Sequence, residues 1–108
     1  MATVKVNPGV CGLKTTIKVD SEDMQIAKVE ISSECSHVMA MGKLLAEIEE
    51  LDAFSECFVK LGDGEIYKAA NKACKHAACP VPSAVVKALE VACGLALPAD
   101  VSFEITRN

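Results

Sequence analysis

At 108 residues with 51% apolar side chains, the chain has the length of one domain that buries a core without covalent staples. Its formal net charge of −4 argues against a general nucleic-acid surface, because phosphate contact needs clustered Lys and Arg. No run approaches the roughly 20 apolar residues that span a bilayer, and Met1-Ala2-Thr3-Val4-Lys5-Val6 holds no apolar export signal.

In chain order, residues 3–6 suit a short edge strand before the turn Asn7-Pro8-Gly9, and Cys11-Gly12 follows. Residues 13–19 alternate, with Leu13, Thr15, Ile17 and Val19 on one face and Lys14, Thr16 and Lys18 on the other. After the polar turn Asp20-Ser21-Glu22-Asp23, residues 24–31 return with Ala27, Val29 and Ile31 inward and Lys28 and Glu30 outward. The two runs predict an antiparallel hairpin with one wet face. Cys35 closes the second run and opens a helix on which Val38, Met41, Leu45 and Ile48 recur, widened by Leu44 and capped by Ser32, Ser33 or Ser36. The break Gly62-Asp63-Gly64 precedes a second helix over residues 65–73. A third, over residues 83–93, buries Val85, Val86, Leu89 and Ala92 and stops at Gly94. Val101, Phe103 and Ile105 alternate with Ser102, Glu104 and Thr106 as a last strand. With aromatics at 4%, the core falls to Val, Ile, Leu, Ala and Met. The expected fold is a single α+β domain over residues 1–108, an antiparallel sheet of three or four strands with helices packed on one face.

The absence of an export signal points to a cytoplasmic, reducing compartment, where six cysteines do not imply disulfides. Their positions differ in kind. Cys93 continues the apolar stripe of the last helix, and Cys57 has apolar neighbours in Phe58 and Val59; both read as core thiols. Cys11, Cys35, Cys74 and Cys79 fall at element junctions, where thiolates can be presented without disrupting a ladder. Cys35 stands at a helix start, whose dipole favours a thiolate. Lys75 and His76 stand beside Cys74 and are expected to lower thiol pKa values further. Cys79 precedes Pro80-Val81-Pro82, so Cys79 and Val81 are expected to be extended, just outside the last helix. Four thiolates suit tetrahedral zinc or an iron–sulfur cluster, and also remain readable as four unremarkable thiols. His76 is the natural substitute ligand; His37 reads as a solvated or capping histidine.

This order of cysteines resembles TSCPD domains, small modules that end some ribonucleotide reductases and also occur alone. Those carry a Cys-Gly before a hairpin, a Cys at the helix start, and a Ser-Cys-Pro-Asp motif with another Cys upstream. The resemblance implies a metal set of Cys11, Cys35, Cys74 and Cys79, with Ala78 and Val81 in place of the family's Ser and Asp. The layout is also similar to iron–sulfur scaffold proteins of the NifU and IscU type, which would match Cys35, Cys57 and Cys79, with His76 displaced. The scaffold's Gly-Cys-Gly-Ser and Leu-Pro-Pro-Val-Lys segments are absent. The chain further resembles small cysteine-rich proteins of unassigned function from anaerobes.

Three functions compete at this level. The first is a metal-binding accessory protein that holds zinc or an iron–sulfur cluster and serves a protein partner or a homodimer. The second is a thiol redox protein that exchanges Cys74 and Cys79, although their gap is wider than Cys-x-x-Cys. The third is an interaction module with structural cysteines. Enzymatic hydrolysis or group transfer has no support: no Gly-rich phosphate loop or Gly-x-Ser-x-Gly occurs, and Glu47, Glu49 and Glu50 read as an exposed face.

Overall fold

The sheet follows from the alternation. In the computed structural model, which describes residues 1–108, strands β1 (Ala2–Val6), β2 (Thr15–Asp20), β3 (Ile26–Ser33) and β4 (Leu51–Asp52) lie in that order, each antiparallel to its neighbour. Ile17 stands opposite Val4 and Ile31, and Val19 opposite Ala2 and Val29. A strand has a period of two, so these residues share one face. Ile17, Val19, Val29 and Ile31 are buried, while Lys18, Lys28 and Glu30 on the other face are exposed.

Four helices lie on the apolar side of the sheet: α1 (Ser36–Ala46), α2 (Ala53–Cys57), α3 (Glu65–Ala73) and α4 (Val81–Ala92), with α1 and α4 in direct contact with its main strands. Helix α1 packs on β3, α4 on β1 and β2, and α3 against α1 and α4. The result is the expected α+β domain with an antiparallel sheet and helices on one face. Ile17, Met41, Leu45, Leu51, Ile66, Val85 and Leu89 are fully buried, each worth roughly 1.5–3 kcal/mol relative to exposure. No Phe belongs to this core. Gly42 lets α1 approach β3 closely: a Cβ there would stand 3.1 Å from the Ile31 Cβ. The last helix ends in a Schellman motif, in which Leu95 N–H donates to Glu90 C=O, Gly94 N–H donates to Val91 C=O, and Gly94 takes φ 70°.

Several boundaries differ from the sequence expectation. Leu13 lies outside β2 and is exposed, because pairing with β1 begins at Thr15 opposite Val6. Met24 adopts φ 61° in the turn and is exposed. The turn is held instead by Asp23, whose carboxylate accepts from the N–H groups of Gln25 and Ile26. No serine side chain caps α1. Val81 is the first residue of α4 rather than extended; at a helix start the N–H groups that Pro80 and Pro82 lack are unneeded. The expected strand over residues 101–106 does not form, since the segment is exposed and pairs with nothing. The fourth strand is Leu51–Asp52, after which Asp52 caps α2 by accepting from the N–H groups of Phe54 and Ser55.

The topology sorts the connections to two ends of the sheet. At one lie the β1–β2 loop, the β3–α1 junction, the end of α3 and the start of α4. At the other lie the β2–β3 turn, β4, α2 and the end of α4, where a Cβ on Gly94 would collide with the Met24 side chain.

Candidate thiol site at one end of the sheet

Cys35 is the N-cap residue of α1, in extended backbone with φ −94° and ψ 123°. Its C=O accepts from Met39 N–H at 3.0 Å, and its N–H donates to Ser33 Oγ at 3.0 Å. Ser33 in turn shares a 2.7 Å hydrogen bond with Thr15 Oγ1, which ties the cap to β2. Cys74 is the C-cap of α3, its N–H donating to Ala70 C=O at 2.8 Å before the chain leaves extended. Cys79 N–H donates to His76 C=O at 3.2 Å, closing a turn immediately before Pro80, the N-cap of α4. All three cysteines are half-buried and pack against the core.

Cys35 and Cys79 stand near enough to Cys74 to influence its ionisation. The Cys74 thiol is pushed above its ordinary pKa, first by burial, then by the adjacent Cys79 and Cys35. Each thiolate formed here therefore repels the next. The expectation that Lys75 and His76 would lower these values is not met for Cys74. Both side chains are exposed and neither figures among the causes of its shift.

Cys11 arrives at the same end of the sheet by a different route. It lies in the β1–β2 loop, in a turn where Gly12 N–H donates to Gly9 C=O at 3.0 Å, with both glycines at positive φ. The loop base is fastened beside Cys35, since Lys14 N–H donates to Glu34 Oε1 at 2.8 Å and Glu34 N–H to Lys14 C=O at 3.0 Å. Cys11 is nonetheless exposed and is not among the groups that act on Cys74. The fold thus brings Cys35 and Cys79 within electrostatic reach of Cys74, and keeps Cys11 on a neighbouring loop. As the side chains lie, no group of three or more His, Cys, Asp or Glu is disposed to hold a metal ion.

The remaining thiols form a separate pair at the other end. Cys93 is 4% exposed, as its helical phase predicts. The Cys57 thiol is pushed up to about 11, first by burial, then by Glu90, Cys93 and Glu56. Nothing in the sequence signals this pairing, because Cys57 and Cys93 meet only when α2 packs against α4. Glu56 was equally unforeseen. It is buried, and its carboxylate accepts from Glu65 N–H at 2.9 Å and Ile66 N–H at 2.8 Å, capping α3 from nine residues away. All six cysteines are free thiols, and no helix is long and apolar enough to cross a membrane.

Neither the curated proteins nor the solved structures contain a match to this chain. A family model does match it over residues 2–105, so the chain belongs to the family of unknown function DUF6951.

Proposed function

We propose that the chain is a metal-binding accessory protein that takes up zinc or an iron–sulfur cluster on Cys35, Cys74 and Cys79, with Cys11 as the fourth thiolate. The observation that carries this reading is the meeting of three half-buried cysteines from three helix ends, Cys35 at the start of α1, Cys74 at the end of α3 and Cys79 before α4. Three thiolates in one place repel, and a bound cation relieves that repulsion. A site without a ready ligand geometry must close on its metal. Closure must bring the exposed Cys11 loop toward the three half-buried thiols. The four positions are also those implied by the resemblance to TSCPD domains. Six free thiols suit a reducing, cytoplasmic location.

A thiol-exchange role for Cys74 and Cys79 fits less well. An attacking thiol works best with its pKa near the ambient pH, and Cys74 is displaced upward. The deciding experiment is anaerobic purification, metal and sulfide analysis, and a visible absorption spectrum, repeated after reconstitution with zinc and with iron and sulfide. Stoichiometric zinc, or iron with sulfide and a brown chromophore, supports the proposal, provided that Cys35→Ser, Cys74→Ser and Cys79→Ser each abolish uptake. Failure to take up either metal stoichiometrically, or uptake unaffected by these substitutions, overturns it. A reversible Cys74–Cys79 disulfide without metal would favour thiol exchange instead.

A further inference from the structure

Two features of the fold are left without partners, and they match each other. The first is the outer edge of β3. Strand β4 pairs only with Ile26 and Ala27, so the edge is open at Val29 and Ile31, up to Ser33, whose N–H donates to Met39 Sδ at 3.3 Å. The ladder phase shows which groups are unpaired. Glu34 N–H donates to Lys14 C=O, continuing the β2–β3 register, and Ala53 N–H donates to Gln25 C=O on the opposite side. Even-numbered residues of β3 therefore bond β2, and the N–H and C=O groups of Val29 and Ile31 face outward. Beneath this edge runs an apolar groove of about 200 Å³ between β3 and α1, lined by Val29, Ile31, Met39, Gly42, Lys43 and Ala46. The other sheet edge, β1, lacks this character: its outward-facing residues are Thr3 and Lys5, and a lysine on an edge deters pairing.

The second feature is the C-terminal segment. Val101, Phe103 and Ile105 keep strict strand alternation with Ser102, Glu104 and Thr106, yet they are 58%, 78% and 88% exposed and form no ladder. An open edge over an apolar groove accepts a strand with one apolar face. The segment supplies such a strand.

We propose that the occupant of the β3 edge is the C-terminal segment of a second copy of this chain, giving a twofold dimer by reciprocal strand addition. Charge favours one register. In parallel alignment with Val101 beside Val29 and Phe103 beside Ile31, Asp100 falls beside Lys28 and Glu104 beside Ser32. The antiparallel alignment that keeps Phe103 beside Ile31 sets Glu104 against Glu30. The exchange is self-complementary, so each contact occurs twice. That doubling carries a six-residue strand toward the roughly 1,200 Å² or more that stable interfaces bury. This inference is independent of the thiol site.

The test is sedimentation velocity or light scattering of the full chain under reducing conditions, at about 50 µM. Wild type is expected to run as a dimer. The double variant Phe103→Ser/Ile105→Ser, altered only in the exposed segment, is expected to run as a folded monomer by circular dichroism. Ala46→Arg, which fills the groove from an exposed position on α1, should also be monomeric. A mixture of the segment variant with Ala46→Arg retains only one of the two exchanges, half of the doubled interface, and should associate more weakly than wild type. A monomeric wild type would overturn the proposal, as would a dimer that withstands the segment substitutions. Dissociation by the segment variant but not by Ala46→Arg would overturn the assignment to the β3 edge.

Discussion

Removing the buried carboxylate of Glu56 tests how α3, and with it Cys74, is held. Helix α3 has nine residues, below the roughly 12–15 at which an isolated helix becomes even marginal in water. Its N-cap, Gly64, has no side chain to offer, and Glu56 serves from across the loop, accepting from Glu65 N–H at 2.9 Å and Ile66 N–H at 2.8 Å. A hydrogen bond to a charged group contributes about 1.5–3 kcal/mol. Water can reach the freed Glu65 N–H, since Glu65 is exposed, so Glu56→Ala should cost about 2–3 kcal/mol rather than the full sum of two such bonds. For a domain of this size that is a fall in Tm of roughly 10 °C. Gly64 supplies the control. A Cβ there would sit 2.8 Å from Glu56 Oε1 and 3.3 Å from its Cδ, while its φ of −76° suits alanine. Gly64→Ala alone should therefore cost about 1–2 kcal/mol by displacing the carboxylate, despite the roughly 0.4–1 kcal/mol that Gly→Ala gains at a compatible site. In the Glu56→Ala background the clash is gone, so the two effects should couple by about 1–3 kcal/mol. Urea denaturation of the four proteins measures this cycle. Additivity to within ~0.5 kcal/mol, or a Glu56→Ala cost below ~0.5 kcal/mol, would refute the capping argument.

Further outcomes follow from the same geometry. In native protein at pH 8, iodoacetamide should label exposed Cys11 first and Cys93 last; rapid native labelling of Cys93 would contradict its core position. Glu56→Ala should accelerate labelling of Cys74 more than that of Cys11, because it loosens the helix that ends at Cys74; equal acceleration would remove the link. The folded Cys57 thiol stands at about 11 against an ordinary 9.0, so the unfolded chain loses this proton first. Its contribution to stability is full below about pH 9 and lost as the pH rises toward 11. The urea midpoint should therefore fall over that window, and Cys57→Ala should flatten the decline; an unchanged slope would refute the assignment. Gly94→Ala should cost about 1–2 kcal/mol by urea denaturation, since Gly94 sits at φ 70° in the Schellman motif and a Cβ there must also displace the Met24 side chain.

The amino-acid pattern by itself determined the architecture wherever a period was strong. Ile17 and Val19, like Val29 and Ile31, could face only one side of a hairpin. Val85 and Leu89 could face only one side of a helix. Cys93 was legible as core from its phase on that helix, Cys35 as a helix-start residue from the change of period after the second strand, and Cys79 from the prolines that follow it. Tertiary structure decided the rest. Val101, Phe103 and Ile105 have a strand's alternation but no strand, because alternation describes a face and only a neighbouring edge supplies a ladder. Leu51 and Asp52 show the converse, two residues made into β4 by the edge of β3. The Cys74 thiol was expected to be lowered by Lys75 and His76, but those neighbours in sequence point to solvent. Burial and the thiols of Cys79 and Cys35 push it upward instead. Glu56 capping α3 and Cys57 meeting Cys93 likewise left no local trace. Periodicity is set by backbone geometry, which repeats along the chain, whereas ionisation, capping across a loop and edge pairing depend on which distant groups the packed core brings together.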